Sequence, residues 1–422
     1  MGLRAEGIFG EAVDRIGGQP ISARMARKAP IRHLDPTLLL VTLILTAYGA
    51  IMVLSITVHR ELAPGTNPNL FLIRQVVFAI AGMVVLVAMS FVDYRHFRAL
   101  APFLYVATIV GLIVVLTPLG EVTGGARRWI NFGAFQAQPS ELAKVAVIVV
   151  LAAYLSERKG DVRAIDVLFC CMAVAVPGAL IYLEPDLGTM MVFVAFTAGL
   201  FLVGGAKIRH FLALALVGIV AIVVVMQAGL LRDYQLQRIT AFLDPQPDVQ
   251  SVGYNLVQAK IAIASGGIRG KGMELEPDPQ RRRSSPWGLP GSVAPGAGAV
   301  PTTEQTQTAL DFVPEQHTDF VFTAVGEQLG FMGSATLLAL FAFLIWRAVR
   351  IAAMSKDMFG TLLATGVASL WAFQLFVNVG MTMGIMPITG IPLPFISYGG
   401  SSLITNFIAV GLLLNVHMRR FL

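Results

Sequence analysis

The chain has 422 residues, of which 56% are hydrophobic and only 13% are charged, and its mean hydropathy is +0.73. A soluble domain carries about 25% charged residues, so this composition excludes an ordinary soluble protein and predicts an integral membrane protein. The net charge of +6 does not require a nucleic-acid partner. Basic residues of membrane proteins gather in cytoplasmic loops and orient the chain, and we expect no nucleic acid to bind.

Apolar stretches of helical length recur along the chain. A helix needs about 20 predominantly apolar residues to cross a bilayer. Windows of this kind predict ten crossings, near residues 37–57, 71–91, 99–117, 141–155, 165–182, 189–204, 209–230, 319–346, 359–383 and 400–417. The expected fold is an all-α, polytopic membrane protein with a large extracytoplasmic loop between helices 7 and 8.

The N-terminal segment, residues 1–36, is polar and basic, and it runs into the first apolar stretch without a small-residue cleavage site. It is predicted to be a cytoplasmic tail, and residues 37–422 to be the membrane domain. With the N-terminus inside, the cytoplasmic segments contain Arg24, Arg27, Lys28, Arg32, Arg95, Arg98, Arg158, Lys159, Arg163, Lys207, Arg209, Arg347, Arg350, Lys356, Arg419 and Arg420. The short outer loops contain only Arg60, Arg127 and Arg128. The positive-inside rule therefore predicts that both termini are cytoplasmic.

Outer segments 118–140 and 231–318 are too long to be simple turns. Within the second, Gly253 to Ile268 has a helical apolar pattern, which predicts a short amphipathic or interfacial helix. Residues 274–303 are rich in Pro, Gly, Ser and Arg and lack periodicity, which predicts a disordered insertion. Residues 384–402 contain several prolines and glycines and are predicted not to form a continuous helix.

The strongest candidate for chemistry is Asp319, in PEQHTDFVF at the outer end of the eighth crossing. Ionisable groups at membrane depth are costly and usually face a cavity or a charged partner, which favours a catalytic role. The alternative is a helix cap, in which Thr318 or Asp319 binds free backbone N–H groups. Glu327, about 12 Å deeper on the same predicted helix, needs a partner or a proton if it is buried.

The segment QPSELAK, from Gln138 to Lys144, opens the fourth crossing with Ser140 and Glu141 near the helix start. Lys144 is three residues from Glu141, so the two side chains could pair on one helix face. The alternative places Lys144 opposite Asp319, where it would keep the carboxylate ionised and help to hold an anionic substrate.

A further outer segment contains two glycines followed by Arg127, Arg128 and Trp129 and is predicted to be a flexible loop. Arginine suits bidentate phosphate contacts, and tryptophan prefers the lipid headgroup region. In the simpler interpretation the glycines make a turn and Trp129 belongs to the aromatic belt. The loop is therefore a candidate phosphate-binding element.

Polar residues elsewhere have simpler explanations. The acidic outer turn from Glu184 to Gly188 fits ordinary turn chemistry. Gln374, Asn378 and Asn406, in the last two crossings, are predicted to make hydrogen bonds between helices.

The motifs GGARRWINFG, QPSELAK, EPDLGT, PEQHTDF and PLPFISYGGSS occur here in the order seen in the SEDS family, represented by RodA and FtsW. The sequence resembles this family from about Asp35 to Leu422. The resemblance implies a ten-helix peptidoglycan glycosyltransferase of the bacterial cytoplasmic membrane, which polymerises lipid II into glycan strands at the outer face. It also implies a class B penicillin-binding protein as partner and contact with membrane lipid. The segment MPITGIPLPF is closer to RodA, which acts in cell elongation and shape. The N-terminal extension is less typical of RodA, so the division protein FtsW stays the alternative.

The resemblance places the family's catalytic carboxylate on Asp319. It places substrate-binding positions on Arg127, Arg128, Trp129, Ser140, Glu141, Lys144, His317, Ser397 and Tyr398. No metal ligand is predicted, and the reaction is expected to run with or without a divalent cation such as Mg or Mn. Because the pyrophosphate of lipid II is already a competent leaving group, one carboxylate that accepts a proton from the acceptor sugar's 4-hydroxyl would be sufficient.

Two other functions stay open at this point. A lipid II flippase would also need a polar cavity and a broken helix, and its important groups would lie near mid-membrane, as Glu327 does. A pure scaffold for an elongation or division complex would leave the outer polar residues dispensable.

Overall fold

A computed structural model describes residues 34–57, 69–123, 126–133, 135–158, 160–227, 252–273 and 317–420, together with residues 229, 236 and 242. Most of the predicted N-terminal tail and the whole predicted insertion at 274–303 lie outside the described residues.

Ten helices of the described chain are long and apolar enough to cross a membrane, which confirms the predicted number of crossings. In chain order the helices are α1 (Pro36–Thr57), α2 (Leu70–Phe91), α3 (Tyr94–Leu116), α4 (Pro139–Ser156), α5 (Ala164–Leu183), α6 (Leu187–Gly204), α7 (Ile208–Gln227), α8 (Val252–Gly266), α9 (Val321–Ala353), α10 (Met358–Met383) and α11 (Gly400–Arg419). All except α8 are candidate crossings.

Aspartate caps begin three of the crossings. The carboxylates of Asp93, Asp186 and Asp357 accept backbone N–H bonds in the first turns of α3, α6 and α10. Such caps satisfy donors that have no partner within the helix. Because Asp93 caps α3, this helix begins at Tyr94, earlier than the apolar pattern predicts.

Between α3 and α4 the chain forms a small antiparallel sheet. Its strands are β1 (Gly120–Thr123), β2 (Ala126–Asn131) and β3 (Gln136–Ala137), in the order β1-β2-β3. The prediction of a flexible loop is wrong for Arg127, Arg128 and Trp129, which lie on β2. Side chains alternate along a strand, so the two arginines point to opposite faces of this sheet.

The eighth crossing differs from its prediction at its start and within the helix. Helix α9 begins at Val321, and Phe320 occupies the N-cap position without a side-chain cap bond. Thr318 and Asp319 therefore precede the helix and do not occupy its N-cap. The backbone of Gly330 is not helical (φ 64°, ψ −159°) and breaks α9 into two parts. Glu327 lies in the short outer part rather than deep in one continuous helix.

The short helix predicted at 253–268 is confirmed as α8, with Leu256, Ala259 and Ala262 buried. It packs against α9 and α10. Small residues permit this approach, since a Cβ built on Gly266 would lie 2.0 Å from the carbonyl oxygen of Gly326.

The loop after α8 fills the break in α9. It makes four backbone hydrogen bonds to α9, of 2.9 to 3.1 Å: Lys271 N to Glu327 O, Gly272 N to Gln328 O, Phe331 N to Gly267 O, and Met332 N to Ile268 O. Irregular backbone at membrane depth needs such internal partners because lipid offers none. Residues 267–272, called here the brace loop, therefore support the outer part of α9.

Candidate active site

The site is built where α9 begins and α10 ends, which are the ends predicted to be outer from the positive-inside distribution. Asn378 of α10 donates from Nδ2 to the carbonyl oxygens of Asp319, at 2.9 Å, and Ile391, at 2.7 Å. One buried amide thus fixes the turn that contains Asp319 against residues 384–399, which form no helix, as predicted. Asn378 is predicted only to bond between helices, and in the structure it is the anchor of the candidate catalytic turn.

Three further predicted residues lie in the same region. Tyr398 N donates to the carbonyl oxygen of His317 at 2.8 Å. The rings of both residues contact Phe71 of α2, with centroids 5.2 to 5.4 Å apart. The hydroxyl of Ser397 accepts a hydrogen bond from Leu393 N at 2.8 Å. These contacts give His317, Ser397 and Tyr398 a structural part in holding the turn beside Asp319.

A second contact brings QPSELAK to the same region. The hydroxyl of Ser401, at the start of α11, accepts from Gln138 N at 2.9 Å and donates to Gln136 O at 3.2 Å. This bond ties the start of α4 to the end of the PLPFISYGGSS motif. Ser401 is a functional residue that the sequence marks only through its membership of that motif.

Lys144 and Glu141 form an ion pair, with Lys144 Nζ 2.6 Å from Glu141 Oε1. Both side chains are almost completely buried. The pairing expected from their spacing is confirmed, and the contact between Lys144 and Asp319 stays a prediction. Removing one partner of a buried pair is costly because it leaves an uncompensated charge.

The two arginines of β2 have different environments. Arg128 is half-buried and donates to the carbonyl oxygens of Glu184, at 3.0 Å, and Pro185. Arg127 is exposed. Arg128 therefore holds the acidic turn between α5 and α6, whereas the exposed guanidinium group of Arg127 donates only to Thr117 O among the described residues, at 3.4 Å. Trp129 is half-buried on the same strand.

The acidic turn joins the site through Gly188 and contains a buried carboxyl group. A Cβ on Gly188 would lie 2.8 Å from Thr389 O, so the turn packs against the 384–399 segment. Glu184 is fully buried, and neither carboxyl oxygen has a hydrogen-bond partner among the described residues. Burial, with a smaller contribution from the charge of Asp186, raises the pKa of Glu184 from 4.5 to about 8.

This raised pKa predicts a pH-dependent stability. Below pH 4.5 Glu184 is protonated in both the folded and unfolded states; above it only the unfolded state ionises readily, so stability is lost as the pH rises towards about 8. We expect Glu184→Gln to remove this component, so that its unfolding temperature falls less than that of wild type between pH 5 and pH 8, by about 3 °C or more. The control is Glu157→Gln, at an exposed carboxylate, which should follow wild type; equal pH profiles for all three proteins would contradict the assignment.

Several buried polar atoms near the outer ends of α4, α9 and α10 have no hydrogen-bond partner in the described part of the chain. They are Ser140 Oγ, Glu141 Oε2, Thr323 Oγ1, Gln374 Nε2, Gln374 Oε1 and Asn378 Oδ1. Most buried polar groups in proteins are paired, so a local group of such atoms indicates that water or a polar ligand completes their hydrogen bonds. The predicted interhelical bond of Gln374 is wrong here, whereas Asn406 does accept from Trp371 Nε1 at 2.7 Å.

Helix geometry places Glu141 and Gln374 at about one level. Ile148 of α4 contacts Gly366 of the antiparallel α10. Two helical turns outward from this contact, about 11 Å, lie Glu141 on α4 and Gln374 on α10. Asn378 lies one turn above Gln374, at the level where it binds the Asp319 turn.

The sequence matches the family described as Cell cycle protein, which comprises FtsW, RodA and SpoVE, over residues 36–277 and 296–421. The chain belongs to this family. It is 34% identical to the peptidoglycan glycosyltransferase MrdB of Escherichia coli K12, covering 92% of this chain and 94% of that protein. It is 35% identical to stage V sporulation protein E of Bacillus subtilis, covering 90% and 96%.

A solved structure has the same fold as this member of the FtsW, RodA and SpoVE family. It is a chain of a peptidoglycan synthase complex that coordinates polymerization and crosslinking, with a TM-score of 0.70 and 28% identity over 92% of this chain and 98% of that one. The gap in the family match, residues 278–295, falls within the segment interpreted as an insertion.

Among the described residues, no group of three or more His, Cys, Asp or Glu side chains is placed to hold a metal ion. Mg²⁺ often binds one or two protein carboxylates together with substrate phosphates. Asp319 is the residue here that would help to hold a divalent cation, which would supply positive charge for substrate phosphates. The cation requirement stays a prediction.

Proposed function

We propose that this chain is a peptidoglycan glycosyltransferase that polymerises lipid II at the outer face of the bacterial cytoplasmic membrane, with Asp319 as its catalytic base. The observation that carries the proposal is the anchored turn of Asp319, held by Asn378 beside unpartnered buried polar atoms of α4, α9 and α10. The relatives named as peptidoglycan glycosyltransferases support the same activity.

Each step of the proposed reaction has a group to perform it. Asp319 accepts the proton of the acceptor 4-hydroxyl, and the hydroxyl oxygen attacks the anomeric carbon of the donor sugar. The bond to the pyrophosphate breaks in line, so the configuration at that carbon inverts. Arg127 and Lys144 stabilise the negative charge on the departing pyrophosphate. A divalent cation, when bound, would add positive charge at these phosphates.

The proposal includes a transpeptidase partner and an orientation of the chain in the membrane. The solved neighbour comes from a complex that coordinates polymerization and crosslinking, and we assign a class B penicillin-binding protein to this chain by analogy. The positive-inside distribution supports a cytoplasmic position for both termini. The RodA-like sequence of residues 386–395 favours a role in cell elongation over division.

A gel assay with labelled lipid II tests the activity. Purified protein is incubated with the substrate, with and without a penicillin-binding partner whose crosslinking is blocked, and glycan products are separated by size. We expect ladders of polymer. Absence of polymer under every condition, together with transfer of labelled lipid II across vesicles, would instead establish the flippase.

Substitutions of the two arginines of β2 are expected to differ, one lowering stability and the other weakening substrate binding. Arg128→Gln removes charge-assisted bonds to two carbonyl groups and should lower the free energy of unfolding by about 2 kcal/mol. Arg127→Gln removes an exposed side chain and should change stability by less than about 0.5 kcal/mol, while raising the KM for lipid II about tenfold if it binds phosphate. Thermal unfolding and initial rates measure both effects, and the reverse pattern would show that the roles have been exchanged.

A further inference from the structure

A cavity of about 260 Å³ opens at the end of the molecule opposite the candidate active site. It lies where α1 begins and where α9 and α11 end. The other ends of these helices border the site: Gly49 of α1 packs on Phe395 and Ile396, and α9 and α11 begin beside His317 and Ser401. The positive-inside distribution predicts that the cavity faces the cytoplasmic leaflet.

Positive groups dominate the lining of this cavity. It contains the guanidinium groups of Arg347, Arg350 and Arg420, the imidazole of His417 and one carboxylate, that of Asp35. The carboxylate is already engaged, since it pairs with Arg347 and accepts bonds from Thr37 Oγ1, at 2.6 Å, and from two backbone N–H groups. The crowding is consistent with a lowered pKa for Arg420, caused by burial and by the charges of Arg347 and Arg350.

The side chains around Trp346 indicate the depth of the cavity in the membrane. The guanidinium groups of Arg347 and Arg350 lie 5.7 and 5.3 Å from the centre of its ring. About half of the Trp346 side chain is exposed on the outside of the helix bundle. Tryptophan concentrates at the level of the lipid headgroups, so the cavity opens at the depth of phospholipid phosphates.

We propose that this cavity binds the phosphate headgroup of an anionic phospholipid of the cytoplasmic leaflet. Arginine forms bidentate bonds to phosphate, and basic pockets between transmembrane helices are sites for anionic headgroups. Arg350 and Arg420 bind the phosphate, while Arg347 stays with Asp35. The inference does not depend on the reaction at Asp319, and its test does not measure glycan synthesis.

The test counts lipid bound to the delipidated full chain by native mass spectrometry, with phosphatidylglycerol or phosphatidylcholine added at equal concentrations. We expect wild type to bind phosphatidylglycerol about tenfold more tightly than phosphatidylcholine, and Arg350→Gln/Arg420→Gln to lose that preference. The matched control is Arg98→Gln/Arg209→Gln, which removes two arginines from the same end of the molecule outside the cavity and should keep it. Arg350→Gln alone, at an exposed position, should lower the preference about threefold and provides the test should the double variant not fold.

Two results would overturn the proposal. The first is an unchanged lipid preference in the cavity variants. The second is displacement of phosphatidylglycerol by an equal concentration of glycerol 3-phosphate, since that would show a site for a soluble phosphate rather than for a lipid.

Discussion

Asp319→Asn is expected to abolish the synthesis of glycan polymer while leaving the protein folded. A positioned general base contributes about 10²- to 10⁴-fold to rate, and asparagine cannot accept the proton. The bond that holds this turn runs from Asn378 to the backbone carbonyl of Asp319, so the substitution keeps it. The gel assay with labelled lipid II measures the loss, and the unfolding temperature reports whether the fold is kept.

Glu121→Gln is the matched control for this substitution. Glu121 lies on β1 at the same end of the molecule, and its carboxylate accepts an exposed hydrogen bond from Gln136 at 3.0 Å. Its loss should leave polymer synthesis within about twofold of wild type. A folded Asp319→Asn protein that polymerises at near wild-type rate would remove Asp319 from the mechanism and leave the anchored turn a structural feature.

The helices could be predicted because lipid imposes a single requirement on each crossing: apolar length. That requirement is visible in one stretch of sequence, and all ten predicted crossings are present. The three-stranded sheet of β1 to β3 could not be predicted because its strands are short. Its register also depends on which residues pair across strands, such as Glu121 with Trp129. The break in α9 was missed because one glycine within an apolar run does not reveal that the brace loop will supply partners for the freed backbone.

The site was predictable as a set of motifs but not as a set of contacts. Asp319 and QPSELAK could be chosen because charge is rare and costly within a membrane protein. A contact within one helix turn, such as Lys144 with Glu141, follows from spacing. Which groups of different elements bind each other depends on helix packing, which no local pattern encodes. For that reason the bonds from Arg128 to two carbonyl groups could not be foreseen, while its role at a substrate phosphate stays a prediction. The bond between helices predicted for Gln374 has no partner among the described residues.

Lys271 supplies the partner that a buried Glu327 requires. Its ammonium lies 3.1 Å from Glu327 Oε1, and the glutamate side chain is fully buried in the outer part of α9. A group that the flippase interpretation would place in the transport path thus takes part in holding the brace loop. The brace loop in turn supports the short helical segment that begins just after Asp319.

Gly270→Ala is therefore expected to reduce both stability and polymer synthesis strongly, although residue 270 belongs to the brace loop and not to the Asp319 turn. A Cβ at this position would lie 2.2 Å from the carbonyl oxygen of Gln328 and 2.6 Å from the carbonyl carbon of Leu329. Both atoms belong to the backbone, so the brace loop must move away. That movement would separate Lys271 from Glu327, and breaking a buried ion pair costs about 3 to 5 kcal/mol.

Gly267→Ala separates this effect from simple backbone strain. Both glycines have positive φ, +56° at Gly267 and +78° at Gly270, so alanine is strained at either position by about 1 to 2 kcal/mol. A Cβ on Gly267, however, would have nothing within 4 Å. We expect Gly267→Ala to retain most polymer synthesis and Gly270→Ala to lose at least tenfold, measured on the monodisperse fraction of each protein. Equal activities would mean that the outer part of α9 positions Asp319 without the brace loop, through Asn378 and the 384–399 segment alone.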